Sequence, residues 1–267
     1  MTVDQSPILS CRDVSKRFGA LAAVSHLSFD VTRGEVLGIG GPNGAGKTTL
    51  FEVISGLSPA SEGSIVLDGQ DITNLAPHEI CHRGVARLFQ LNASFDGLTV
   101  LENVLVGGYF GQQNRFLPGW RIDRESRRQA QALLELVGLA DKADQPMRLA
   151  SILERKLVML AGALATKPKL LLMDEPVGGL TPKEIDRVAE VVHQLPALGV
   201  TVLLIEHVMR FLTDLSDRVL IMHHGERLFE GSPEQLAHDP TVVSVYLGLT
   251  AATAMKQAVI DRRGAKA

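Results

Sequence analysis

Cysteine and aromatic residues are scarce in this sequence of 267 residues. Aromatic residues make up only 4% of it, so aliphatic side chains must fill most of the core. The two cysteines, Cys11 and Cys81, are far apart and lack the spacing of metal ligands. We interpret them as free thiols in a reducing compartment. The sequence therefore predicts neither a disulfide framework nor a metal site built on cysteine.

Long hydrophobic runs and a strong net charge are also absent. The longest apolar stretches, residues 157–165 and 200–205, are far shorter than the roughly 18 residues that span a membrane. The first six residues lack the basic and apolar regions of a signal peptide. The formal net charge is −3, which gives no electrostatic basis for binding nucleic acid. We therefore expect no nucleic-acid partner, and any membrane role to depend on another subunit.

A glycine-rich stretch between a predicted strand and a predicted helix is the strongest motif. Residues 41–48 fit G-x-x-x-x-G-K-[ST], the pattern of a phosphate-binding loop. In such a loop, backbone N–H groups and a helix N-terminus surround phosphate oxygens. An ordinary glycine-rich turn is the alternative, and the full match in this context disfavours it. The predicted nucleotide-binding residues of the loop are Gly41, Pro42, Asn43, Gly44, Ala45, Gly46, Lys47, Thr48 and Thr49.

Three side chains of this loop have distinct expected partners. Lys47 should reach the β- and γ-phosphates of a nucleotide, and Thr49 should contact the α-phosphate. The hydroxyl of Thr48 should bind Mg²⁺. The loop therefore predicts a site for a magnesium nucleotide.

Two continuous apolar runs end in polar residues. Residues 170–173 and 200–205 are typical of central parallel strands that are buried on both faces. The first is followed by Asp174 and Glu175, and the second leads to His207. Ligands of open α/β sheets bind at the carboxyl ends of the strands, and buried carboxylates are costly unless they function. We therefore expect these side chains at the edge where the phosphate-binding loop lies, although a lone histidine is more often structural.

The rest of the chain predicts an N-terminal β part, a helical insertion and a late hairpin. Thr99 and Glu102 form a capping box, S/T-x-x-E, at the start of a helix. The predicted elements are short strands over 8–33, a strand pair over 62–72, a short helix from 77, a strand over 85–90, helices from 99 and from about 123, a helix over 153–165 capped by Ser151, a helix over 182–198 and a hairpin over 218–230.

Two further residues are candidates only in context. Phe18 lies on a predicted sheet edge, where an aromatic ring can stack on a nucleotide base. Taken alone, it is more simply a core residue. Gln90 lies where a core strand gives way to a loop, and taken alone it is a surface amide at a strand end.

Together these features resemble the nucleotide-binding subunit of ABC transporters, over residues 8 to 248. The resemblance implies an α/β fold: a P-loop NTPase with a RecA-like core whose sheet is mainly parallel, an N-terminal antiparallel β subdomain and an inserted α-helical subdomain. The implied α/β core and β subdomain cover 1–90 and 156–230, the helical subdomain covers 91–155, and 249–267 form a C-terminal tail. The corresponding motifs are Walker A at Gly41 to Thr48, the Q-loop at Gln90, Walker B at Leu170 to Asp174 followed by Glu175, the D-loop at 178–181, the switch histidine at His207 and the base-stacking aromatic at Phe18.

The same resemblance implies ATP hydrolysis with Mg²⁺. Such catalysis depends on positioning and on stabilising charge. Glu175 would be the general base, and His207 would bind the γ-phosphate. Gln90 would sense both the metal and that phosphate. The implied catalytic residues are Lys47, Gln90, Glu175 and His207, and the implied metal-binding residues are Thr48, Gln90 and Asp174.

One motif departs from the family. The L-S-G-G-Q signature is replaced here by Ala150-Ser151-Ile152-Leu153-Glu154. In the family, the two glycines let the backbone approach the γ-phosphate held by the opposite subunit, and Ile152 and Leu153 should obstruct that approach. We therefore expect a heterodimer with a second ATPase whose glycines are intact. The alternatives are a homodimer in which Ser151 and the helix dipole suffice, and a regulatory ATP-binding subunit with little turnover.

Several segments are similar to the ATPases of branched-chain amino acid importers. They are residues 98–104, 175–182, 205–209 and 246–248. The similarity implies polytopic membrane permease subunits as partners, a periplasmic binding protein as an indirect partner, and a peripheral position on the cytoplasmic face of the inner membrane. Coupling to the permease is expected through residues 91–120. Importers of urea, amides or aromatic acids remain alternatives.

Overall fold

A computed structural model of the chain describes residues 6–89, 94–111 and 124–247. Gln90 and the predicted tail over 249–267 lie outside these residues. Part of the segment 91–120, which is expected to couple to a permease, also lies outside them. The described strands form two sheets, one of four strands and one of six. The strands are β1 Pro7–Phe18, β2 Leu21–Thr32, β3 Val36–Gly40, β4 Glu62–Leu67, β5 Gln70–Asp71, β6 Val85–Leu88, β7 Leu170–Asp174, β8 Thr201–Ile205, β9 Arg218–His223 and β10 Glu226–Gly231.

The four-stranded sheet is antiparallel, with the order β2-β1-β4-β5. The prediction of short strands over 8–33 was wrong in length, because β1 and β2 each have 12 residues. They are joined at Gly19, whose φ of 61° suits a tight turn. The predicted strand pair over 62–72 is confirmed as β4 and β5, which turn at Asp68 and Gly69.

The six-stranded sheet is mainly parallel, with the order β10-β9-β3-β8-β7-β6. Every residue of β7 and of β8 is buried, which confirms the two predicted central strands. The predicted late hairpin is confirmed as the antiparallel pair of β9 and β10. The fold is therefore α/β with a mainly parallel sheet and a separate antiparallel sheet.

Alternate side chains of the central strands enter two different cores. Leu171 and Met173 belong to the core that contains the helices of the insertion. Leu170 and Leu172 belong to the core that contains the antiparallel sheet and the helix after the phosphate-binding loop. A strand that is covered on both faces needs apolar residues at every position, which explains the continuous apolar runs.

The helices largely follow their sequence signals. They are α1 Lys47–Ile54, α2 Pro77–His82, α3 Val100–Phe110, α4 Arg124–Val137, α5 Ile152–Ala165, α6 Pro182–Val192, α7 Met209–Leu215, α8 Pro233–Leu236 and α9 Pro240–Val242. The predicted caps Thr99 and Ser151 are confirmed, since each accepts a backbone N–H three residues later. No helix of the described ranges is long and apolar enough to cross a membrane.

The predicted helix over 182–198 was wrong at its end. The α-helix stops at Val192, and a separate 3₁₀ turn covers Pro196–Leu198. Proline lacks an N–H donor and disfavours helical backbone at the residue before it, so Pro196 prevents α6 from continuing.

Candidate functional site

The glycine-rich loop lies between β3 and α1, where the sequence predicted it. Lys47 is the first residue of α1 and is buried. Its Nζ donates hydrogen bonds to the carbonyl oxygens of Gly41 at 2.7 Å and Pro42 at 3.0 Å. The ammonium group therefore lies against the loop's own backbone, where a phosphate can replace these acceptors.

The antiparallel sheet packs closely against this loop. Gly46 has a φ of 97°, and a Cβ at this position would lie 2.0 Å from the carbonyl oxygen of Ala23 on β2. Gly44 has a φ of 79° but open space around it. Gly46 is thus required both by its backbone conformation and by the close approach of β2.

Asp174 is the last residue of β7, and Glu175 follows it directly. Only β8 lies between β7 and β3, the strand that leads into the loop. Burial lowers the pKa of Lys47, while Glu175 and Asp174 oppose that shift by their negative charge. The cation of the loop and the two carboxylates are therefore electrostatic neighbours. This juxtaposition is typical of a site that binds both phosphate and a metal ion.

Glu175 and His207 meet across neighbouring strands. Asp174 pairs with Ile205 in the register of β7 and β8, and the N–H of Glu175 donates to the carbonyl of Ile205 at 3.0 Å. Glu175 has a φ of 48°, an uncommon conformation for a residue with a side chain. His207 Nδ1 lies 3.7 Å from Glu175 Oε1, and the His207 side chain is 54% exposed. A partly exposed acid and a more exposed imidazole thus lie side by side after the carboxyl ends of β7 and β8.

Asp174 is held by a residue that the sequence analysis missed. Its side chain is 4% exposed, and its Oδ2 lies 3.1 Å from Nη2 of Arg87 on β6. Burial raises the pKa of Asp174, and the positive charge of Arg87 opposes this rise. A lone arginine within the predicted apolar strand 85–90 was the available signal.

Glu206 is the second residue that the sequence analysis did not select. Its side chain is fully buried, and burial raises its pKa. Its carboxylate accepts the backbone N–H groups of Val177, His207 and Val208 at 3.0–3.2 Å. The available signal in the sequence was a glutamate directly before the candidate histidine, at the end of a buried strand.

The remaining predicted residues that the structure describes differ in exposure. Phe18 ends β1 and is 51% exposed, so the alternative of a core phenylalanine is wrong. Thr48 is exposed and Thr49 is half-buried in the first turn of α1. Gln90 is not among the described residues. The structure therefore brings together Lys47, Asp174, Glu175 and His207, with Thr48 next to Lys47 in the chain.

The segment that the sequence analysis aligned with the family signature caps α5. Ser151 and Glu154 exchange hydrogen bonds, and Glu154 also forms an ion pair with Lys142. Ile152 is 52% exposed at the first position of the helix, and Leu149 close by is 66% exposed. This surface therefore presents branched aliphatic side chains.

The donor set suits Mg²⁺ held jointly with a nucleotide. Among residues 6–89, 94–111 and 124–247, no three His, Cys, Asp or Glu residues cluster as a metal cage. Magnesium in nucleotide sites is usually held by one or two protein groups together with phosphate oxygens. The hydroxyl of Thr48 and the carboxylate of Asp174 are oxygen donors of the kind that Mg²⁺ prefers. The fold and this loop together define a P-loop nucleotide-binding protein.

Comparison with known proteins identifies the family. Residues 24–178 match the family described as ABC transporter. The high-affinity branched-chain amino acid transport ATP-binding protein BraF of Pseudomonas aeruginosa is 36% identical over 250 residues, which are 91% of this chain and 98% of BraF. LivG of Escherichia coli K12, which has the same description, is 33% identical over the same shares of the two chains. This chain therefore belongs to the ABC transporter family, as one of its ATP-binding ATPase subunits.

Solved structures agree with this assignment. A nucleotide-free ATP-binding cassette from an ABC transporter has a TM-score of 0.82 and 34% identity, and covers 91% of this chain and all of its own. The ADP conformation of MJ1267, another such cassette, has a TM-score of 0.83 and 34% identity, and covers 91% of this chain and 99% of its own. The predicted fold is therefore confirmed.

Proposed function

We propose that this chain hydrolyses magnesium-bound ATP to drive a branched-chain amino acid importer. The proposal rests chiefly on the approach of His207 to Glu175, 3.7 Å apart, at the edge where Lys47 and Asp174 are electrostatic neighbours. Similarity to BraF and LivG over about nine-tenths of the chain supports the solute class. In this proposal the chain acts at the cytoplasmic face of the membrane beside permease subunits, which receive solute from a periplasmic binding protein.

Each residue of the site then has a role that fits its position. The loop from Gly41 to Thr49 donates backbone N–H groups to the phosphates, and Lys47 moves from its two carbonyl acceptors to the β- and γ-phosphates. Glu175 takes the proton of the attacking water. His207 orients that water and the γ-phosphate. Phe18 stacks on the base.

Thr48, Gln90 and Asp174 are the proposed metal-binding residues. Mg²⁺, when bound, neutralises negative charge on the phosphates. The protein's part is to hold the Asp174 carboxylate at the end of a fully buried strand, directly beside Glu175 in the chain. In the sequence Gln90 follows β6, which ends at Leu88, and we propose that it senses both the metal and the γ-phosphate.

Replacing Glu175 with glutamine tests the catalytic assignment. Glu175→Gln preserves size but cannot accept a proton, so ATP turnover should fall about 100-fold or more while ATP still binds. Steady-state phosphate release and equilibrium binding of a fluorescent ATP analogue measure the two effects. Glu226→Gln, at the exposed start of β10, is the matched control. Unchanged turnover in Glu175→Gln would exclude Glu175 as the base.

We also propose that the active assembly is a heterodimer. Ile152 is exposed where the family has glycine, and the Glu154 side chain is already engaged by Ser151 and Lys142. This chain would supply Lys47, Glu175 and His207 to one site, and a second ATPase would supply the glycine-rich signature to that same site. The opposite site would turn over slowly.

Separate substitution of the two catalytic glutamates tests the asymmetry. In the mixed complex, Glu175→Gln should abolish most turnover, and the equivalent change in the second ATPase should have little effect. Dominance of the second ATPase's glutamate would overturn the asymmetry. Full activity of this chain alone would instead favour the homodimer, and weak turnover in every assembly would favour a regulatory subunit.

A cleft beside β6 is the proposed contact with a permease. It has a volume of about 410 Å³ and is lined mainly by apolar residues of β6, α2, α3 and α5. Phe89 and Phe95 are exposed at this cleft, where an apolar helix end of a permease subunit could cover them. A permease subunit in this cleft agrees with the transport role that the names of BraF and LivG give.

Val106→Glu places a charge in this cleft and tests the contact. Binding to the cognate permease in detergent should be lost, while binding of a fluorescent ATP analogue stays unchanged. Leu198→Glu, on an exposed turn after α6, is the control. Retained permease binding in Val106→Glu would refute the cleft assignment.

Uptake of radiolabelled leucine, compared with urea, by the reconstituted transporter tests the solute.

A further inference from the structure

Arg87 is a buried cation with two polar partners in an apolar strand. It lies between Ala86 and Leu88 on β6, and its side chain is 7% exposed. Its Nη2 lies 3.1 Å from Asp174 Oδ2, and its Nη1 donates to Ser55 Oγ at 3.1 Å. The guanidinium thus connects β6, the residue after α1 and the end of β7.

Aromatic rings flank this guanidinium. Its central carbon lies 5.8 Å from the ring centre of Phe51 and 5.0 Å from that of Phe89. Such contacts stabilise a buried cation. The Arg87 Nε is buried and has no hydrogen-bond partner among the residues that the structure describes. A buried donor without an acceptor costs free energy, so it partly offsets the stabilisation that Asp174 and the two rings give this guanidinium.

The carboxylate held by Arg87 is the one assigned above to Mg²⁺. A guanidinium and a metal ion at one carboxylate repel each other, which disfavours metal binding at a carboxylate that already holds the guanidinium. Ser55 offers the guanidinium a second partner that does not depend on Asp174.

We propose that Arg87 is a positioning residue that holds Asp174 before Mg²⁺ binds and thereby weakens the affinity of the site for the metal. This inference rests on the proposed function, because it takes Asp174 as a metal ligand. In this proposal Arg87 acts through Asp174 and not on the nucleotide directly. Removing the Arg87 side chain should therefore change the Mg²⁺ concentration that nucleotide binding requires. It should change the affinity for nucleotide at saturating Mg²⁺ much less.

Binding of a fluorescent ADP analogue at graded Mg²⁺ concentrations tests the proposal without turnover. Arg87→Met and Arg87→Gln remove the charge, and the Mg²⁺ concentration for half-maximal binding should fall about three- to tenfold. Arg87→Lys keeps the charge and should stay within about twofold of the parent chain. Arg83→Met is the matched control, since Arg83 lies four residues away and its guanidinium bonds the carbonyl of Glu79.

A double-mutant cycle shows whether the effect passes through Asp174. In Asp174→Asn, adding Arg87→Met should shift the half-maximal Mg²⁺ concentration by less than about twofold. A full shift in that background would show that Arg87 acts elsewhere. Thermal unfolding verifies that each variant is folded, and Arg87→Gln replaces Arg87→Met if the latter does not fold.

The outcomes separate this inference from the proposed function. If nucleotide binding to the parent chain does not depend on Mg²⁺, the assignment of Asp174 to the metal fails first. If the parent chain depends on Mg²⁺ but both neutral variants need the same or more of it, only the role of Arg87 is overturned. The same holds if Arg87→Lys behaves like the neutral variants.

Discussion

The buried carboxylate of Glu206 accepts a hydrogen bond from the backbone N–H of Val177, with 3.2 Å between the atoms. These residues are 29 positions apart in the chain. The other carboxylate oxygen accepts the N–H groups of His207 and Val208. Glu206 therefore connects the segment after Glu175 to the segment that contains His207. We expect this connection to hold the carboxylate of Glu175 near the imidazole of His207.

Glu206→Gln should weaken both the fold and the activity. The amide has one acceptor oxygen, and its NH₂ group would face a backbone N–H. We expect the free energy of unfolding to fall by about 1–3 kcal/mol. ATP turnover should fall as well, because His207 loses its support. Urea unfolding and steady-state phosphate release measure the two effects, with the exposed Glu226→Gln as control. Stability equal to that of the parent chain would show that these three hydrogen bonds contribute little.

Gly46→Ala should destabilise the chain more than Gly44→Ala. Both glycines have positive φ, but only at Gly46 would the added carbon meet a backbone oxygen, that of Ala23. The collision should cost about 1–3 kcal/mol beyond the backbone strain that the two changes share. Thermal unfolding without nucleotide measures the difference. Equal effects of the two substitutions would mean that β2 moves away from the loop without cost.

Restoring glycine at positions 152 and 153 should raise the turnover of this chain on its own. Ile152→Gly with Leu153→Gly removes the side chains proposed to obstruct an opposing nucleotide. The change should cost up to about 1 kcal/mol of helix stability per residue. ATP turnover as a function of protein concentration measures the gain. Leu149→Gly, on the same exposed surface, is the control. No gain in the double variant would place the obstruction elsewhere.

Asp68→Asn should reduce stability at neutral pH but not in acid. Hydrogen bonds from Lys169 and Arg33 lower the pKa of Asp68 below its ordinary value of 3.8. A lowered pKa stabilises the fold above that value, and the contribution is lost as the pH falls through the folded-state pKa. Because the pair is partly exposed, the difference at pH 7 should be about 1 kcal/mol or less.

The same backbone conformation is open to asparagine, so the Asp68 comparison isolates charge. Asp68 has a φ of 49°, a region that asparagine also tolerates. Urea unfolding at neutral and acid pH measures the loss, with the exposed Asp141→Asn as control. A stability difference that persists in acid would show that the ion pairs are not its source.

Local signals predicted much of the architecture. The phosphate-binding loop, the central strands and the caps Thr99 and Ser151 follow from short patterns whose physics is contained in a few residues. The lengths of β1 and β2 were missed because their pairing, which runs from Pro7↔Thr32 to Phe18↔Leu21, stabilises residues that have weak strand signals of their own.

Contacts between residues that are distant in the chain could not be predicted from the sequence. Arg87 and Glu206 are ordinary surface residue types by composition, and only their burial shows that they need partners. Their partners are distant in the chain, so no spacing rule identifies them. The roles of the loop residues, of Glu175 and of His207 remain proposals that the experiments above test.

The sequence by itself determined that a glycine-rich loop would lie between a buried strand and a helix, because backbone conformation and glycine placement are local properties. Only the tertiary structure decided which side chains meet at that loop. The order β3-β8-β7-β6 brings His207 to Glu175 and Arg87 to Asp174, although the latter pair is 87 residues apart. Strand order depends on which apolar faces pack best together, and that is a property of the whole chain.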